Sequence, residues 1–179
     1  MRVLILSAGL ALAAASGTAA GAAEELKATV HKVDEKGAGE AIGTVRATRA
    51  ENGGTLLAVD LHGLPPGEHG FHLHAKGDCG PGPNDQGKVV AAGAAAGHWD
   101  PHGAKAHKGP EGEGHMGDLP FLRVDANGAA KGATLAPRIK DVAELRGKAL
   151  MIHAGGDNYA DQPQPLGGGG GRIACGVFE

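Results

Sequence analysis

Ten histidines occur in this chain of 179 residues, and six of them, with one aspartate, are placed to do chemistry. His72 and His74 alternate on a short apolar stretch. A β-strand sends residues i and i+2 to one face, roughly 7 Å apart, so both rings can converge on one ion. His153 ends another apolar run and can aim into the same space. His98 opens the stretch HWDPHGAKAHKGPEGEGHMGD, where His107, His115 and Asp118 follow. That stretch has neither helical nor strand periodicity, so no core face can hold it down. A structureless loop of this length inside a compact domain is usually functional or disordered. Imidazole and carboxylate are transition-metal ligands, and a metal ion would order the segment where apolar packing does not.

Each signal is weak alone. Surface His-x-His pairs are common, and the long stretch reads about as well as a flexible linker. The count is more telling. His72, His74, His98, His153, His107, His115 and Asp118 are seven ligands, one short of two separate four-ligand sites. A histidine that has lost both ring protons binds one metal through each nitrogen. His98, at the junction, is the natural bridge.

The elements that must position these residues are short strands. Loose alternation over residues 26–33, 41–50, 55–61, 69–74, 119–124, 129–135, 148–153 and 173–178 predicts eight of them. Asp34-Glu35-Lys36-Gly37, Asn52-Gly53 and Asp125-Ala126-Asn127-Gly128 are turn signals. Asp141 and Glu144 are spaced for a capping box on one short helix, with Ile139, Val142 and Leu145 on one side. Two long polar connections remain, the first through residues 75–118 and the second over 155–171. No internal repeat or long helical pattern occurs. The class is all-β, a sandwich or a closed barrel.

Composition narrows the setting. A basic start at Arg2, an apolar run over 3–15 and small residues up to Ala23 describe a secretory leader over residues 1–23. The run is too short to span a bilayer, so a soluble, exported single domain of residues 24–179 is expected, periplasmic or secreted. Losing Arg2 with the leader moves the formal charge from −3 to −4. A mildly acidic chain without basic runs excludes nucleic-acid and anionic-membrane binding as its business. Aromatics are 3% of residues, so the core has few large side chains and benefits from staples. Cys79 and Cys175 form an even pair in an exported chain, which suggests a disulfide closing a loop of nearly a hundred residues. Two free thiols acting as ligands are the weaker alternative, since neither has a Cys or His at zinc-finger spacing.

Five blocks together, GEHGFHLH, AGHWDP, GHMGDLP, MIHAGGDN and GGRIACGV, resemble the signature blocks of exported bacterial copper–zinc superoxide dismutases. They run in order across residues 26–178. The resemblance implies an eight-stranded Greek-key sandwich or barrel with two long functional loops. It implies copper at His72, His74, His98 and His153, and zinc at His98, His107, His115 and Asp118, with His98 shared. It further implies that Asp157 links His72 to His107, that Cys79 pairs with Cys175, and that Arg172 sits above the copper. The implied partner is the superoxide anion, and members of this family occur as monomers and as homodimers. The second function class is an exported copper or zinc carrier without turnover, favoured if a ligand or the arginine were absent.

The remaining candidates are bland. His31, His62, His69 and His102 read as surface or packing residues, and Trp99 as a lid over the loop base. The five glycines of residues 167–171 lack the Lys-Ser/Thr and helix of a phosphate loop. No His-Glu-x-x-His helix occurs. Lys105 and Lys108 on the first long loop are cations that could help to attract an anion to an acidic chain.

Overall fold

The computed structural model describes residues 24–84 and 86–179; the leader expected over residues 1–23 lies outside them. Eleven strands are present among the described residues: β1 Glu25–Asp34, β2 Gly37–Arg49, β3 Thr55–Leu61, β4 Gly67–His69, β5 Phe71–His74, β6 Gly82–Pro83, β7 Val89–Val90, β8 Leu122–Val124, β9 Ala130–Ala136, β10 Ala149–His153 and β11 Arg172–Phe178. Seven form one antiparallel sheet in the order β5-β10-β11-β1-β2-β3-β9, and β4 pairs with β8. Because β4 and β5 are one run broken at Gly70, and β8 turns directly into β9, the two sheets make a single curled surface. The passages from β3 to β4 and from β9 to β10 skip neighbouring strands, which is Greek-key connectivity.

Local chemistry accounts for the edges of these strands. Asp34 Oδ1 accepts the N–H groups of Lys36 and Gly37 and closes the β1–β2 hairpin. Asp125 Oδ1 accepts those of Asn127 and Ala129 and closes β8–β9. The capping box forms as expected: Asp141 takes the Ala143 N–H and Glu144 reaches back to Asp141, over a 3-10 turn Val142–Leu145. Burial alternates along β1 and β3, and Leu26, Ala28, Val30, Leu57, Val59 and Leu61 face the interior.

β10 departs from alternation, and this matters for the site. All five of its residues are buried. Leu150 and Ile152 enter the main core, while Ala149 and Met151 pack with Cys175, Ala92 and Ala95 in a second cluster on the other face. A strand covered on both faces reads as a continuous apolar run. The cover on the outer face is the long connection after β5, stapled to β11 by the Cys79–Cys175 disulfide, whose Cα atoms lie 5.7 Å apart.

Three expectations need correction. The strand expected over 69–74 is two strands, because Gly70 leaves the β4–β8 ladder, donating its N–H to Gly155 and accepting that of His153 at the end of β10. The connection at 75–97 is more ordered than its Gly/Ala composition implied: it holds the β6–β7 hairpin and a 3-10 turn Gly93–Ala95. The strand expected over 119–124 begins only at Leu122, since Leu119 plugs the core from the loop.

Candidate metal centre

The outer face of β5 starts the site. Phe71 and Leu73 point into the core, so His72 and His74 point outward, beneath the long loop. His153 lies on the matching face of β10, two residues after Met151, and β10 pairs with β5. The loop that supplies the other candidate residues is hydrogen-bonded to the same strand. Trp99 donates its N–H to Leu73 O at 2.8 Å, Leu73 donates to Gly117 O at 2.9 Å, and Gly117 donates to Trp99 O at 2.9 Å. His74 thereby stands opposite His98, and His72 opposite Asp118. Any side chain at 117 would strike the Leu73 carbonyl, so glycine is required there. The expectation that no core face holds this loop is corrected too: Trp99 and Met116 pack against the core.

Two clusters result, and His98 belongs to both. In the first, ligand atoms of His72, His74, His98 and His153 all lie within 4.8 Å of one another. His72 Nδ1, His74 Nε2, His98 Nε2 and His153 Nε2 are buried and have no hydrogen-bond partner within the protein. Four inward-facing buried nitrogens without a donor are costly as they stand, and they are the donor set a transition metal takes. In the second cluster, Nδ1 of His107, His98 and His115 lie 2.9, 3.0 and 3.3 Å from Asp118 Oδ1. A tetrahedral zinc site has ligand–ligand edges of about 3.3 Å. The residues therefore fit both groups that the sequence implied.

The outer bonds set tautomers. Asp157 spans the clusters, 2.7 Å from His72 Nε2 and 2.8 Å from His107 Nε2. His74 Nδ1 donates to Ala96 O at 2.7 Å and His153 Nδ1 to Gly170 O at 3.2 Å. For His72, His74 and His153 the bond leaves the opposite nitrogen facing the cluster without a partner in the protein. Burial, reinforced by neighbouring imidazoles, lowers His98 to about 4 and His153 to about 3, and it holds His74 well below its ordinary value. Those rings are neutral at neutral pH, as ligands must be. For His107 burial acts downward, but bonds to Asp118 and Asp157 outweigh it and push the ring up to about 9.

Arg172 is the cross-strand neighbour of His153. Its guanidinium donates to Ala92 O at 2.5 Å and to Ala96 O at 2.6 Å. Ala96 O thus serves both Arg172 and His74, and the positive charge of Arg172 is felt at His74 and His153. Ala96 holds φ 64, ψ −153, a region that favours glycine and is found at functional sites.

The whole chain carries the same stamp. Residues 41–178 match the copper/zinc superoxide dismutase (SODC) family model. The chain belongs to the copper/zinc superoxide dismutase family. It is 52% identical over 170 residues to the Cu-Zn superoxide dismutase of Escherichia coli strain K12, covering 95% of each chain. Its fold superposes on Cu/Zn superoxide dismutase from Brucella abortus with a TM-score of 0.83 at 47% identity, over 87% of this chain and all of that one. The monomeric copper, zinc superoxide dismutase from Salmonella enterica gives 0.76 at 51% identity, over 87% and 100%. As in its relatives the fold is all-β, and no helix among the described residues is long and apolar enough to cross a membrane.

His69 and Asp161 escaped the sequence reading. His69, read as surface or packing, is buried, with its ring nitrogens 2.7 Å from His153 O and 2.8 Å from Pro65 O; it braces the backbone of β10's last residue. Asp161 accepts the His107 N–H at 2.9 Å and ties the two long loops together. Neither stands in a pattern that periodicity or ligand spacing detects. His102, by contrast, is exposed and joins neither cluster.

Proposed function

We propose that the chain dismutes superoxide, with copper held by His72, His74, His98 and His153 and zinc by His98, His107, His115 and Asp118. The observation that carries this is the His98 ring, whose Nε2 faces the first cluster while its Nδ1 sits 3.0 Å from Asp118 in the second. An all-imidazole set suits a metal that changes oxidation state, and a closed three-His, one-Asp set suits a structural ion. Copper, when bound, supplies one-electron exchange in both directions, so that two superoxide anions and two protons give oxygen and hydrogen peroxide.

The chain's own residues do the rest. His98 Nε2 can take up and hand on a proton while Nδ1 stays fixed in the second cluster, so the ring keeps its place as its proton comes and goes. Asp157 keeps His72 and His107 in register across the two clusters. Arg172 provides a fixed cation that draws a small anion to the first cluster against the net negative charge of the chain. Export to an oxidising compartment is supported by the leader pattern of residues 1–23 and by the disulfide. A metal carrier would need neither the shared ring nor the anchored arginine.

The experiment is metal content and superoxide consumption of purified mature protein before copper withdrawal, after it, and after copper return. The expected result is about one copper and one zinc per chain, with activity that leaves and returns with copper. Activity that survives complete copper removal contradicts the assignment.

A further inference from the structure

Five of the six ligating histidines proposed above have a ring nitrogen fixed from outside their metal cluster or shared between clusters. His115 is the exception. Its ring makes one hydrogen bond, to Asp118 at 3.3 Å, the longest contact of the second cluster, and its side chain is the one left 11% exposed. Its backbone is held instead. His115 donates its N–H to Ala106 O at 2.9 Å. Its carbonyl accepts from Arg138 Nη1 at 3.0 Å, and the adjacent Gly114 carbonyl accepts from Arg138 Nη2 at 2.8 Å.

Arg138 is well rooted for this task. It follows β9 by two residues, and its neighbour Ile139 is buried in the main core, where the Ile139 carbonyl accepts from Thr55 Oγ1 at 2.9 Å. The planar guanidinium spans two successive carbonyls, a geometry that a lysine ammonium cannot reproduce. The residue therefore transmits the rigidity of the barrel to the Cα from which the His115 ring projects. Metal ligation tolerates a few tenths of an ångström, so a Cα held in place does the work that a ring partner does for the other histidines.

We propose that Arg138 is a positioning residue for the second cluster, setting its affinity for zinc through the Gly114–His115 backbone. This rests on the assignment of zinc to that cluster. The sign of the effect separates positioning from simple charge: removing a cation near a metal site should tighten zinc binding electrostatically, whereas removing a brace should weaken it. The experiment measures zinc affinity of the full-length mature protein by competition with a chromophoric chelator, for the unsubstituted chain, Arg138→Ala, Arg138→Lys and Ile42→Val. The last removes a methyl group from a residue on β2 that is buried in the main core.

The expected result is zinc affinity weakened about 10- to 100-fold in Arg138→Ala, an intermediate value for Arg138→Lys, and an unchanged value for Ile42→Val below its melting temperature. Unchanged or tighter binding by Arg138→Ala overturns the proposal, as does equal weakening in Ile42→Val. An unsubstituted protein that takes up no zinc overturns the zinc assignment and this proposal with it.

Discussion

His153→Ala is expected to abolish superoxide-dependent turnover while leaving zinc bound. The ring of His153 contributes one of four inward nitrogens to the first cluster and none to the second. Its centroid is 6.1 Å from that of His98, so the shared ring loses a neighbour and keeps its bonds to Asp118. The backbone around residue 153 should survive, because its N–H donates to Gly70 O and its carbonyl faces His69, and alanine preserves both groups. Elemental analysis should find zinc near the unsubstituted level and copper reduced, beside a superoxide-consumption assay at background. Activity equal to that of the unsubstituted protein would remove His153 from the copper set.

Cys79→Ser should lower stability by roughly 4–5 kcal/mol, the chain-entropy value for a loop of about a hundred residues, which for a domain of this size is a melting temperature lower by on the order of 10 °C. The disulfide spans 96 residues. Its second consequence is local. The connection it fastens carries Ala92 and Ala96, whose carbonyls hold Arg172, and Ala92 and Ala95, which cover Met151 on the outer face of β10. Loosening it should therefore reduce activity before the barrel melts. Calorimetry in oxidising buffer checks the first effect and activity against temperature the second; an unchanged melting temperature would mean the bond adds nothing to the fold.

The sequence showed the strands best where one face is buried and the other wet. Residues 55–61 alternate strictly and form β3 with the expected bounds. His72 and His74 were legible for the same reason, since period-two geometry alone puts them on one face. The break at Gly70 was not, because it depends on bonds to Gly155 and His153, remote in sequence. The loop over residues 98–118 looked unsupported because much of its support comes from backbone groups of Leu73, Trp99 and Gly117, and the apolar side chains that pack it, Trp99 and Met116, follow no period. His69 and Arg138 were missed on the same ground: each acts on a carbonyl oxygen, and a carbonyl is present at every residue. Arg172 and Asp157 drew their roles from resemblance, and no local periodicity marked either of them.

Sharing of the His98 ring is tested most directly by replacing zinc with paramagnetic cobalt(II) in the copper-loaded protein and recording the electron paramagnetic resonance of copper(II). An imidazolate joining the two ions couples their spins, so the copper signal should be lost when cobalt enters the second cluster and should return when zinc replaces it. A copper signal unaffected by cobalt would show that no common ring connects the two sites.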